Sequence, residues 1–401
     1  MNEAIKPDVI VIGAGIIGIS IALKLQLEGK QVLVLDRKGI ASETSAGNAG
    51  AFAFSDVIPL ATPGIMRKAP KWLIDPLGPL SVCPTYALKI LPWMFQFWRA
   101  SWKDKYQAGL NAQTELMNLS KAALERQIIA VNGEALIRRE GQLQLYEGLA
   151  EFNDSLASWK TRQDLGVVFE FLEDPEEIAK IQPGIDPRFT HAVFTPEWKN
   201  VVHPAKWTQH LADTFEKLGG EIAIESIQSI DLKEKSVALK CDDRDYETEH
   251  IVLAAGAWSK ALAKSIGDSL PLDTERGYNT TLPANAFDLK THITFSNHGF
   301  VISKAGEGVR VGGAVEFGGL DLKPNYKRAD VLLNKAASFL PELNITGGVQ
   351  WMGFRPSMPD SLPVIDYSNQ SKRVIYAFGH GHLGLTQSAG TAELVSDLLS
   401  E

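Results

Sequence analysis

Three glycines, Gly13, Gly15 and Gly18, follow the apolar run Val9-Ile10-Val11-Ile12, and Asp36 closes a second apolar run that begins at Val32. A buried strand, a glycine turn, a helix and a second buried strand are the parts a dinucleotide needs. Gly13 permits the tight turn, Gly15 lets backbone approach a pyrophosphate, and Gly18 lets the helix pack close to the strand. The start of that helix, with Ala14, Ile16 and Ile17, presents N–H groups to phosphate oxygens. Asp36 stands where a carboxylate accepts hydrogen bonds from ribose hydroxyls. A glycine triplet alone is weak evidence. Here the strands, helix and acid are in register, and the spacing predicts a bound adenine dinucleotide.

Four further segments distinguish a flavin from a nicotinamide. Arg37 leads into a loop of small hydroxyls and glycines that includes Ser45, Gly47, Asn48 and Ala49; it can lie flat against pyrophosphate and an isoalloxazine ring. The apolar run 251–253 ends in Ala254-Ala255-Gly256-Ala257-Trp258, a second glycine turn near the first. Residues 352–366, with Gly353, Arg355, Pro356, Pro359, Asp360 and Pro363, couple one arginine to a stiff, proline-pinned turn. Finally, Gly381, His382, Leu383, Gly384, Leu385 and Thr386 open the C-terminal helix. Its first N–H groups suit the electron-rich C2 carbonyl of a reduced flavin.

The elements that must position these groups are legible in part. Residues 110–131 have helical spacing with Gly133 just past the end, and residues 142–146 alternate like a strand. A helix starts at Pro204, with Trp207, Leu211, Phe215 and Leu218 on one face. Alternating segments between 270 and 315 suggest an antiparallel sheet. The expected fold is α/β: a Rossmann-like lobe made of residues 1–55, 195–269 and 350–401, and a substrate lobe of 56–194 and 270–349.

The chain has 401 residues, a net charge of −8 and two cysteines, Cys83 and Cys241. The negative charge argues against nucleic acid as a partner. Two cysteines make no disulfide framework, so a cytoplasmic setting is expected. The N-terminal residues lack the basic leader of a signal peptide, and no apolar run is long enough to span a bilayer. Residues 86–103, with Trp93, Phe95, Phe97, Trp98 and Trp102 among Lys and Arg, read either as a core helix broken near Pro92 or as a peripheral membrane anchor.

Taken together, these motifs resemble the D-amino-acid oxidase superfamily, most of all its bacterial D-amino-acid and D-hydroxyproline dehydrogenases, from about residue 9 to 399. The resemblance implies a flavin lobe of the para-hydroxybenzoate hydroxylase type, a sheet roofing the flavin, and FAD-dependent oxidation of amines or amino acids. It places the ADP half on Gly13, Gly15, Gly18, Asp36 and Arg37, and the adenine by the backbone of Ile227. It puts the pyrophosphate near Ala255 and Gly256. The flavin falls near Ser45, Gly47, Asn48, Ala49 and residues 381–386. Asn48 occupies the loop where some relatives carry a tethering histidine, so FAD is expected to be non-covalent.

Oxidising an amino acid moves a hydride from the α-carbon to flavin N5 and needs a well-aimed Cα–H more than a protein base. The site should therefore hold anchors. A carboxylate calls for an arginine fork. Arg355 is the first candidate, with bracing of the turn through Asp360 as its alternative role. Arg276 and Tyr278 either contact substrate or pack. His380 and His382 read as hydrogen-bonded neighbours of the turn rather than proton carriers, and His203 reads as a helix-start residue. No cluster has metal-ligand spacing. Expected partners are a small amino-acid substrate, with D-proline or hydroxy-D-proline as examples, and a membrane quinone or other electron acceptor. A sarcosine- or glycine-type oxidase and a non-catalytic flavin-holding assembly factor are the alternatives.

Overall fold

The computed structural model describes residues 7–65, 78 and 80–400. Part of the proline- and aromatic-rich stretch after residue 56 lies outside the described residues.

Val9–Ile12 is four consecutive buried apolar residues, the pattern of a strand covered on both faces. It lies inside a six-stranded sheet whose order is Glu221–Ile224, Val32–Asp36, Val9–Ile12, His250–Leu253, Val374–Phe378 and Val364–Tyr367. Neighbours are parallel except for the last pair. Ile12 pairs with both Leu35 and Leu253, so three strands end side by side. Their carboxyl ends form the crevice where open α/β sheets bind ligands. One face of the sheet carries Ile16–Leu27, Pro204–Lys217 and Gly384–Leu398; the three-stranded sheet Ile227–Leu232, Val237–Cys241 and Tyr246–Thr248 joins the core on the other.

The second lobe is built on a larger mixed sheet. Its edge strand Val349–Ser357 pairs with Asp273–Ala284, which pairs with Gly308–Phe317, followed by Phe300–Ala305 and His292–Phe295. A second apolar core fills the space between this sheet and helix Lys327–Phe339.

Three sequence expectations need correction. Arg355 itself lies on a strand of the large sheet, ahead of the turn that Ser361 N closes on Met358 O, so the chain returns to the first lobe only after Ser357. An edge strand tolerates Pro356 because one row of its backbone groups has no ladder partner. The helix expected at 110–131 begins earlier and runs Lys103–Ala130. It belongs to the core of the first lobe through Met117, Leu124 and Ile128. It crosses Gly384–Leu398 so closely that a Cβ on Gly390 would stand 2.3 Å from Ser120 Oγ.

The third correction is that helix Ala87–Ala100 runs unbroken through Pro92. Trp93 is buried, donates from Nε1 to Ser357 O at 3.2 Å, and stacks on Phe97 with ring centroids 5.3 Å apart. Leu88, Leu91, Phe95 and Trp98 face outward from the same helix. One side of the helix packs into the protein, as the core reading expects, and the other is an exposed apolar face. No helix among the described residues is long and apolar enough to cross a membrane.

Candidate active site

Two cavities meet between the lobes, sharing Thr44, Asn48 and Gly381 as walls. The first, of about 330 Å³, follows the carboxyl ends of the parallel strands and is lined by Gly13, Gly15, Ile16, Ile17, Asp36, Arg37, Ser45, Ile227, Ala255, Gly256, Gly384 and Leu385 among others. The second, of about 560 Å³, lies under the large sheet; Gly47, Ala49, Tyr278, Arg355, His382, Leu383 and Thr386 contribute to its wall.

The residues of the first cavity fit the ADP half of FAD. Gly13 has φ +115°, and a Cβ there would stand 2.5 Å from Ala254 O. A Cβ on Gly18 would come within 1.8 Å of Gly13 O, so the helix seats directly on the turn. Ala14 and Gly18 thus shape the turn from behind. Asp36 Oδ2 accepts from Ala14 N at 2.8 Å, and its Oδ1 accepts from the N–H groups of Lys38 and Gly39. This fixes the carboxylate at the cavity wall. Ser45 Oγ accepts from Ile16 N at 3.0 Å, which brings the loop to the helix N-terminus. The Arg37 guanidinium lies 4.0 Å from the centroid of the Trp258 ring and pairs with Glu43. Neither cysteine lines either cavity.

The loop that passes from one cavity to the other is held by the large sheet. Arg310, on strand Gly308–Phe317, donates from Nη1 to Asn48 O at 2.5 Å and to Ala46 O at 3.2 Å, while Asn279 Nδ2 donates to Gly47 O at 3.0 Å. Thr44 Oγ1 donates to Phe354 O at 2.7 Å. Burial pushes the Arg310 pKa down to about 10. Trp351 lies against the same loop: a Cβ on Gly47 would stand 2.2 Å from its ring.

In the second cavity Arg355 reaches over Gly277 and donates from Nη1 to Ala314 O at 3.0 Å. No carboxylate among the described residues pairs with it, Asp360 included. Burial lowers its pKa and nearby Glu275 opposes that shift; a guanidinium nevertheless stays protonated in a protein, so a cation lines the cavity. Tyr278 OH donates to Glu316 Oε2 at 2.6 Å and accepts from Asn325 N at 3.0 Å. Burial and the Glu316 carboxylate push its pKa up to about 12.

Arg276, expected as a possible substrate contact, is fully buried outside the cavity wall. It donates to Gly319 O at 2.8 Å, Leu322 O at 2.6 Å and Lys323 O at 3.3 Å, and pairs with Glu316 at 3.5 Å. It ties down a loop. Alternation explains the split: neighbours on a strand face opposite sides, so Glu275 and Gly277 face the cavity, while the side chains of Arg276 and Tyr278 turn away to share Glu316.

The histidines separate as well. His380 is buried, shares a 2.9 Å hydrogen bond with Thr391 Oγ1 and is pushed down to about 3 by burial. His382 faces the open cavity. Burial lowers its pKa, Asp56 and Glu275 raise it, and Arg355 lowers it further. His203 is the residue that precedes helix Pro204–Lys217. Glu275, His292, Asn279 and Arg310 line the second cavity and are absent from the sequence-derived set.

Comparison with known proteins agrees with this arrangement. Residues 8–398 match the DAO family, described as FAD dependent oxidoreductase. A D-amino-acid oxidase of Bradyrhizobium diazoefficiens is 34% identical, with 98% of this chain and 94% of that protein covered. A D-amino acid dehydrogenase of Rhizobium johnstonii is 31% identical, with 98% and 95% covered. Among solved structures, the fold is similar to glycine oxidase from Geobacillus kaustophilus, with a TM-score of 0.76 at 20% identity and 98% and 95% coverage. With its crevice at the strand ends and a guanidinium on the wall of the adjoining cavity, the chain belongs to the DAO family and is an FAD-dependent oxidoreductase acting on amino acids.

Proposed function

We propose that this protein oxidises D-amino acids to imino acids, with FAD bound non-covalently. The observation that carries this reading is Arg355. It is a half-buried cation on the cavity wall whose five-donor fork gives one hydrogen bond among the described residues. Two parallel charge-assisted bonds to a substrate carboxylate use what remains. FAD supplies the hydride acceptor that side chains lack. The protein excludes water with Trp93, Phe97, Phe300, Phe317 and Trp351 around the second cavity. It also offers His382, whose imidazole lines the same cavity.

The acceptor of the electrons is proposed to be a quinone or another non-oxygen acceptor. The outward face of Leu91, Phe95 and Trp98 beside Arg99 and Lys103 suits contact with a membrane surface. The variant Leu91→Ser/Phe95→Ser/Trp98→Ser should bind anionic vesicles less while keeping dye-linked activity. Equal partitioning of the two proteins counts against that contact. Oxygen as acceptor is the second reading, favoured by the name of the relative at 34% identity.

One experiment tests the reading. The yellow protein is mixed anaerobically with paired D- and L-amino acids, and flavin absorbance is followed. Bleaching by D-forms alone supports it, and bleaching by L-forms or by none overturns it. Air admitted to the reduced protein then separates the two acceptors.

A further inference from the structure

Glu275 and Arg355 are direct partners across neighbouring antiparallel strands, so their side chains leave the same face of the sheet. Arg355 turns over Gly277 toward Ala314. Glu275 stays behind, buried at 5% exposure on the cavity wall. Among the described residues its carboxylate has neither a hydrogen bond nor an ion pair. A carboxylate in that setting calls for a cation or a donor.

Beside it lies a small side pocket of about 20 Å³, room for one water-sized group. Glu275, His382, Leu60, Gly381 and Leu383 line both this pocket and the large cavity. Its remaining polar walls include Gln113 and Ser357, which are 2% and 4% exposed. Gln113 Nε2 donates to Asp56 O at 2.6 Å, and a carbonyl only accepts, so the amide oxygen is left over. Gln113 Oε1 and Ser357 Oγ are buried with no partner. A carboxylate, an amide oxygen and a hydroxyl thus border one water-sized space. The tally is rich in acceptors; the nearest fixed cation, Arg355, feels the Glu275 charge but gives its hydrogen bond to Ala314 O.

We infer that Glu275 and this side pocket receive a second, cationic group of the substrate, so that the site selects amino acids with an ammonium-bearing side chain. The inference rests on the reading of the large cavity as the amino-acid site. Arg355 takes the α-carboxylate, and the distal ammonium donates to Glu275, Gln113 Oε1 and Ser357 Oγ. A second carboxylate in the substrate is repelled by Glu275. A plain cyclic imino acid such as D-proline has no group to offer the side pocket, so the cyclic substrates implied by the sequence resemblance make poorer use of this site.

The test separates binding from turnover. The FAD-loaded protein is titrated with 6-aminohexanoate and with hexanoate, and the perturbation of the flavin spectrum is followed. Neither probe has an α-amine, so neither depends on oxidation. The expected result is affinity about tenfold or more higher for 6-aminohexanoate, the scale of charge-assisted hydrogen bonds. Glu275→Gln should abolish that preference with FAD still bound. Equal or tighter binding of hexanoate by the unsubstituted protein overturns the inference and needs no variant. So does a preference that survives Glu275→Gln. Anaerobic bleaching by D-lysine against D-norleucine completes the set. A binding preference without bleaching by either sinks the oxidation reading and leaves the side pocket standing. Bleaching without a binding preference does the reverse.

Discussion

A Cβ on Gly277 would stand 2.3 Å from the Arg355 guanidinium. The proposed anchor for the substrate carboxylate therefore runs through space that only a glycine leaves open. Gly277→Ala must displace a half-buried cation from its bond to Ala314 O. The expected result is a protein that keeps its FAD absorbance but needs about tenfold or more higher substrate concentration for half-maximal bleaching. Unchanged saturation in a folded Gly277→Ala protein would show that Arg355 does not set substrate affinity.

Arg355→Lys asks a narrower question of the same group. A lysine keeps the charge and loses the planar fork. A point charge replaces two parallel charge-assisted bonds, which weakens the hold on a carboxylate. Flavin reduction by the best substrate should therefore shift to much higher concentration, with FAD retention unaltered. Wild-type kinetics in this variant would remove Arg355 from the site.

Arg310 makes a separate prediction because it touches the loop and not the substrate anchor. Its bonds to Ala46 O and Asn48 O hold the segment between the two cavities. In Arg310→Met those carbonyls lose a charged donor, at a cost of about 1.5–3 kcal/mol. FAD should dissociate more readily, seen as a lower temperature of flavin release on heating. A release temperature equal to that of the unsubstituted protein counts against the clamp.

These residues also mark where sequence stops being informative. Gly13, Gly18 and Asp36 lie on a continuous strand–turn–helix–strand unit, so local spacing alone locates the nucleotide crevice. Arg355 stands out as an arginine within Gly-x-Arg-Pro, yet its strand is hidden. Gly353 and Pro356 interrupt the pattern, and both faces of Val349–Ser357 are only partly covered, which removes the alternation that announces a half-buried strand. Glu275 and Arg310 meet the site only through tertiary pairing. On strand Asp273–Ala284 the first eight residues are all buried, so burial gives no clue to which side faces the cavity. Arg276 looked like the useful cation of that strand, and the two-residue period sends it the other way.

Two histidines make the acid side of the stability curve a test of burial. His380 and His292 are each pushed down to about 3 by burial, from an ordinary value of 6.5. Between those values the unfolded chain takes up a proton that the folded protein refuses. Their stabilising contribution is therefore complete above pH 6.5 and declines as pH falls toward 3. Each contributes a slope of about 1.4 kcal/mol per pH unit within that window. His292 lines the large cavity and its Nδ1 has no partner, so His292→Gln removes a titrating ring without breaking a hydrogen bond at that atom. The melting temperature of the FAD-loaded protein should fall between pH 6.5 and 5, and the variant should fall less steeply relative to its own value at pH 7.5. That range lies above the ordinary titration of carboxylates, which isolates the imidazoles. Equal steepness in the two proteins would mean that His292 takes up its proton in the folded state, with water reaching it through the cavity.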